Sequence, residues 1–237
     1  MLGNFMEINI PIKRITTTLA VITFCLLVIG FGANIYIFQV AEHQDTKIAS
    51  LLQRVDLGFE PSLSSYFSAL LLLVCSLTLW LIHQIEKSIA ERREWAWFGL
   101  SAIFFCLSID EAIMIHEMTD GALHSLLNTS GVFYLAWVIP GIVFVVLVGI
   151  VFLPFLLRLE KRTQRLFFLS AFLFVGGAIG MEMIASLLYE QGEIESVQHS
   201  IVQTIEEGME MYGTLLFLYA LLKHLQFRKP TIGVQLT

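Results

Sequence analysis

The chain has 237 residues, of which 57% are hydrophobic and only 14% charged, and its net charge is −6. A soluble domain averages about 25% charged residues, so this composition belongs to the membrane class. It excludes a nucleic-acid binder, since no basic, aromatic-interleaved patch is present. It also excludes a disulfide framework, since Cys25, Cys75 and Cys106 all fall inside apolar runs without paired spacing.

Six apolar runs approach the roughly 20 residues that cross a bilayer. They lie near residues 15–38, 66–85, 95–115, 132–157, 166–189 and 208–222. The expected fold is an all-α polytopic bundle of about six transmembrane helices, a single integral-membrane domain covering residues 1–237. The first run is too long for a signal-peptide core and reads as a retained anchor. The connection 39–64 is amphipathic around Ile48, Leu51, Leu52 and Val55, which predicts a short interfacial helix. Residues 116–131 and 190–207 read as helical extensions, the first stopping at Asn128-Thr129-Ser130-Gly131. Pro140-Gly141 predicts a kink in the fourth span. Gly176 and Gly180 form a GxxxG pair that allows close helix approach.

The basic residues orient the bundle. Twelve of the fourteen Lys and Arg fall at the N-terminus (Lys13, Arg14), in the second connection (Lys87, Arg92, Arg93), in the fourth (Arg158 to Arg165) and in the tail (Lys223, Arg228, Lys229). Both termini are therefore expected to be cytoplasmic. Fifteen of the twenty acids then lie toward the outside. Glu42, Asp45, Asp56, Glu60, Glu193 and Glu195 read as a solvated rim. The acids inside the apolar runs do not, because ionisable groups in lipid are costly and mark function.

Three of those acids share a depth. At 1.5 Å per residue, Asp110 lies about 20 Å from Trp97, Glu182 about 25 Å from Arg165 and Glu210 about 20 Å from Lys223. Residues seven apart on a helix return to nearly one face. Asp110, Glu117 and His124 then form one stripe. On a last helix beginning near Ser196, His199, Gln203, Glu206 and Glu210 form a second. Facing each other, the stripes would bring Asp110 to Glu210, Glu117 to Glu206 and His124 to His199, with Glu182 entering from the fifth span. His116 is a further candidate ligand. Glu111, Glu207 and Gln203 sit beside these faces and are expected to support the ligands.

Carboxylates and imidazoles on facing helices are the ligand set of metal sites inside helix bundles. Mixed ligation of this kind suits Zn, Mn or Fe, so a divalent metal ion is the expected cofactor. The ExxH pair of soluble di-iron bundles and the HExxH zinc motif are both absent. No Ser/His/Asp or Cys/His nucleophile set is evident, so no catalytic residue is assigned. The leading reading is a carboxylate/histidine metal centre near the outer face, serving metal-assisted hydrolysis or oxidation at the headgroup level. The alternatives are a proton- or cation-coupled transporter and an accessory subunit of a larger membrane complex. The expected partners are the lipid bilayer, other membrane proteins or further copies of the chain.

Two motifs, SIDEAIMIHE (Ser108–Glu117) and TIEEGMEMYG (Thr204–Gly213), accompany FEPSLSSYFSALLLL at the start of the second span. Together they resemble a set of bacterial multi-pass membrane proteins sharing S-x-D-E-x4-H-E and E-E-x-x-E-M over most of the chain. The resemblance implies a bacterial inner (plasma) membrane location, in which the basic-residue distribution turns the acidic face outward. It also implies importance for Asp110, Glu111, His116, Glu117, Glu206, Glu207 and Glu210, and it implies no particular chemistry.

Overall fold

A computed structural model describes residues 11–37, 46–59, 61–88, 94–193 and 196–228. The charged residues Arg92, Arg93, Lys229, Glu42, Asp45, Glu60 and Glu195 used above lie outside the described residues. Every regular element among the described residues is helical: α1 (Ile12–Tyr36), α2 (Thr46–Leu52), α3 (Leu63–Ser88), α4 (Glu94–Ile113), α5 (Ile115–Leu127), α6 (Val138–Leu156), α7 (Lys161–Val175), α8 (Glu182–Glu190) and α9 (Val197–Arg228). A π-helical segment, Gly176–Met181, joins α7 to α8. Five units are long and apolar enough to cross a membrane: Ile12–Tyr36, Leu63–Lys87, Trp95–Ile113, Val138–Leu156 and Lys161–Glu190. The sixth expected span lies within α9. That helix is the longest, but Glu206, Glu207 and Glu210 dilute its apolar run, and it is not among the five.

α9 is the hub, packing against α1, α3 and α7, while α3 and α4 form an antiparallel hairpin. Small residues set these contacts. Ser76 and Ser101 donate their hydroxyls to each other's backbone carbonyls at 2.8 and 2.9 Å. Ser108 donates to the Ala69 carbonyl and Ser170 to that of Gly213, both at 2.8 Å. Between helices apolar enough to cross a membrane, where lipid would leave no hydrophobic drive for association, such bonds and close backbone packing are the forces that remain. The apolar core, with Leu79, Trp97, Phe155, Phe167, Phe217 and Leu221, fills the end of the bundle that carries the basic residues. The acids gather at the other end.

Several local expectations shift. The fourth span begins at Val138 rather than 132, after a 3-10 turn at Gly131–Phe133. Pro140 therefore sits in the first turn of α6, where a missing N–H is no loss, and it starts the helix instead of kinking it. The expected interfacial helix exists as α2. α3 begins where Ser62 and Ser65 cap each other's backbone N–H groups, at 3.3 and 2.7 Å. α5 stops where expected, with Asn128 in the left-handed region.

Two differences bear on the acids. α5 is not a straight continuation of α4: Met114, at φ 56° and ψ 48°, breaks the helix between them. The stripe Asp110–Glu117–His124 is therefore not one helical face. Close approach to α9 also uses a different glycine pair. A Cβ at Gly176 or Gly177 would strike Met209, Glu206 or Glu210, whereas one at Gly180 would meet nothing within 4 Å.

Candidate functional site

A cavity of about 420 Å³ runs between α4, α6, the α7–α8 unit and α9. Its lining at the acidic end includes Asp110, Glu111, His116, Glu117, Trp137, Glu182, His199, Gln203, Glu206, Glu207 and Glu210. Ten of the eleven residues singled out from the sequence are thus in one place. The eleventh, His124, is not in the lining. Its Nδ1 lies 2.9 Å from both the Tyr134 carbonyl and the Thr129 hydroxyl, and its ring packs on Tyr134. The break at Met114 carries it away from the proposed partner His199.

The same break creates an arrangement the stripes did not contain. Asp110 accepts the backbone N–H of His116 at 3.1 Å and binds its Nδ1 at 2.8 Å. The carboxylate thus caps the new helix from the old one, satisfying a donor that a helix start leaves open. Because a carboxylate only accepts, Nδ1 is the protonated nitrogen, and in the neutral ring the lone pair sits on Nε2. The imidazole lies against the Trp137 indole, with ring centroids 4.6 Å apart.

Glu182 follows the π-helical segment, a form frequent at functional sites. It accepts the Trp137 indole N–H at 3.0 Å and has Glu206 on α9 as a charged neighbour in the same lining. Glu210 and Glu207 are the next charged neighbours of Glu206. Glu111 has Glu207 as its first charged neighbour, so these two, expected in supporting roles, belong to the lining itself. No Lys or Arg appears among the described residues of the lining.

Glu117, at the rim on α5, has its pKa raised above the usual carboxylate value. Burial is the largest cause. His116 opposes it, and Glu182, Asp120 and Asp110 add to it. His199, near the start of α9, is buried edge-on against Tyr189 at 5.1 Å. Burial lowers its pKa, with Glu182 and Asp56 opposing, and its Nδ1 has no hydrogen-bond partner among the described residues.

Sequence reasoning missed three contributors. Trp137 joins His116 to Glu182, and Asp120 accepts the Trp137 backbone N–H at 3.2 Å. Asp56, read as a rim acid, is buried: it accepts the Asn34 amide at 2.8 Å and the Gly58 N–H at 3.1 Å, and Asn34 in turn accepts the Ser200 hydroxyl. The signal was Asn34 itself, an amide inside an apolar run. Gly58 then packs directly on the Gln203 amide, so Leu57 and Gly58 of the first connection lie at the cavity mouth. A fourth feature lies at the opposite end, where buried Glu86 sits 3.8 Å from His224, whose ring packs on Trp97.

Among the described residues, no group of three or more His, Cys, Asp or Glu is gathered closely enough to hold a metal ion. Glu182 with Glu206, and Asp110 with His116, form two pairs.

Fold and site together define an all-helical protein with membrane-compatible helices and an acid-mouthed internal cavity. The chain belongs to the family described as Domain of unknown function (DUF8692), whose model matches residues 19–225. No curated protein and no solved structure matches it.

Proposed function

We propose that this is a multi-pass plasma-membrane protein with six spans and cytoplasmic termini, whose outward acidic end binds a divalent cation at the headgroup level. The convergence of Glu182 and Glu206, from different helices, on one cavity mouth whose described lining holds no Lys or Arg carries the reading, because like charges gathered in that way favour a cation beside them. The donors around it, carboxylates and the Asp110-oriented imidazole of His116, have the chemistry of Zn, Mn or Fe ligands. When bound, such an ion would act as a Lewis acid or a redox centre. The protein's own part is to orient His116 through Asp110, to position Glu182 through Trp137, and to cover the mouth with residues 55–58. The placement of the basic residues supports the orientation.

The transporter reading has less support. From Leu107 and Phe174 toward the basic end the lining is nearly all apolar, with Phe152, Phe167 and Phe217 prominent, and offers no chain of polar groups for an ion.

Elemental analysis of the full chain, purified gently without chelator, tests the proposal. Stoichiometric metal is expected in the wild type and loss of it in Glu182→Gln and Glu206→Gln. Metal-free wild type overturns the reading. Cysteine-accessibility labelling in intact cells tests the orientation: a cysteine introduced at Ser125 should react from outside, one at Lys161 only after permeabilisation.

A further inference from the structure

The cavity extends well beyond the carboxylates. On the α7–α8 unit its lining reaches from Glu182 down to Phe167. That is about 20 Å of helix at 1.5 Å per residue, more than the roughly 15 Å hydrocarbon depth of one leaflet. The volume, about 420 Å³, falls among ligand sites, which span about 300–1,000 Å³. An apolar bore of leaflet length, open to a polar mouth, has the proportions of a lipid tail and its head group.

The mouth selects the head. Carboxylates only accept hydrogen bonds, and the lining among the described residues has no Lys or Arg to receive an anion. A phosphate or carboxylate head would meet like charge. His199 supplies an independent sign of a missing partner. It lines the mouth with 4% of its surface exposed, and its Nδ1 has no hydrogen-bond partner among the described residues. Buried polar atoms without partners are rare and call for an explanation. A hydroxyl or amine at the mouth would supply hydrogen bonds to the Glu182 and Glu206 carboxylates, with buried His199 beside them.

We infer that the cavity binds a long-chain amphiphile, tail in the bore between α6 and α7, with a hydrogen-bond-donating hydroxyl or amine head at Glu182, Glu206 and His199. This names the substrate class of the proposed site. It rests on the membrane-spanning part of that reading and does not require the metal. A free long-chain alcohol or amine and a membrane lipid with such a head present the same chemistry.

Photoreactive alkyl-diazirine probes of one chain length, with hydroxyl, amine or carboxylate heads, test it on the full chain in detergent and in lipid nanodiscs. The hydroxyl and amine probes should label bore residues such as Val148 and Ala171. The carboxylate probe should label them about tenfold less, and unlabelled long-chain alcohol should compete. Retained labelling in detergent with loss in nanodiscs identifies the membrane lipid as occupant. Gly149→Phe should abolish bore labelling, since a side chain there enters open space beside the lining. Val145→Phe serves as a second block, and thermal unfolding checks that both variants fold. Glu182→Gln with Glu206→Gln should remove the discrimination against the carboxylate head.

Equal labelling by all three heads overturns the inference. So does labelling confined to lipid-facing positions such as Phe172 and unchanged by either block. Metal content read on the same samples separates the two readings. Metal without bore labelling refutes the amphiphile alone, and bore labelling without metal refutes the cation centre alone.

Discussion

Gly177→Ala isolates the contact on which the acidic site depends. A Cβ at this position would lie 2.8 Å from Glu210 Cγ, 2.9 Å from the Glu206 carbonyl oxygen and 3.2 Å from the Glu210 backbone nitrogen. The first neighbour can rotate away, but the other two are main chain of α9. The π-helical segment and α9 must therefore separate by several tenths of an ångström. Overpacking of this kind costs about 1–3 kcal/mol, offset by the roughly 0.5–1 kcal/mol by which Ala exceeds Gly in a helix. The net loss is about 1–2 kcal/mol, a fall in Tm of roughly 2–8 °C for a chain of this size. Because Glu206 moves with α9, its separation from Glu182 grows, and on the proposed reading cation affinity falls too. Gly180→Ala, in the same segment, meets nothing within 4 Å and should hold or raise Tm. Thermal unfolding of both variants in detergent, followed by circular dichroism, makes the comparison. Equal shifts, or a Gly177→Ala variant as stable as wild type, would refute the reasoning.

The other expectations use the same assay. Met114→Gly should raise Tm, since the left-handed backbone costs a non-glycine residue about 1–2 kcal/mol; a lower Tm would show that the methionine side chain contributes more than the strain removes. Asp56→Ala leaves the buried Asn34 amide without its acceptor and should cost about 1–3 kcal/mol, while Asn34→Leu with Asp56→Ala should recover part of that. For Glu117, the raised folded pKa means the native chain keeps a proton that the unfolded chain releases near 4.5, so stability falls as pH rises through that value. Glu117→Gln should flatten this loss in a Tm–pH series. His199 has the opposite sign: its lowered folded pKa lets the unfolded chain take the proton first, near 6.5, so stability falls as pH drops below it, and His199→Gln should remove that slope.

The sequence made the helices legible because lipid-length apolar runs have few other uses, and the acids legible because charge inside such runs is costly. Partners were harder to read. Asp56 looked like one rim acid among several, since its buried partner Asn34 lies 22 residues away on α1. Trp137 carried no signal beyond its place before α6, yet it connects His116 to Glu182. Glu111 and Glu207 were given supporting roles from their angles on straight helices, and for Glu111 and His116 that reckoning fails at the Met114 break.

That failure explains why the break at Met114 exists where it does. On an unbroken helix at about 100° per residue, Glu111 and His116 would point about 140° apart, and no single cavity would receive both along with Asp110 and Glu117. All four line one cavity here, because the chain is redirected between the two pairs. Neither Gly nor Pro produces the turn. Asp110 holds it, by accepting the first free donors of the new helix and fixing the imidazole in the same contact. One carboxylate thus sets both the backbone turn and the tautomer of His116. It follows that Asp110→Ala should cost stability, about 1 kcal/mol as for a lost helix cap, and cation affinity together. An Asp110→Ala variant that lost affinity at unchanged Tm would assign Asp110 to the ion alone, and the turn to packing around Met114.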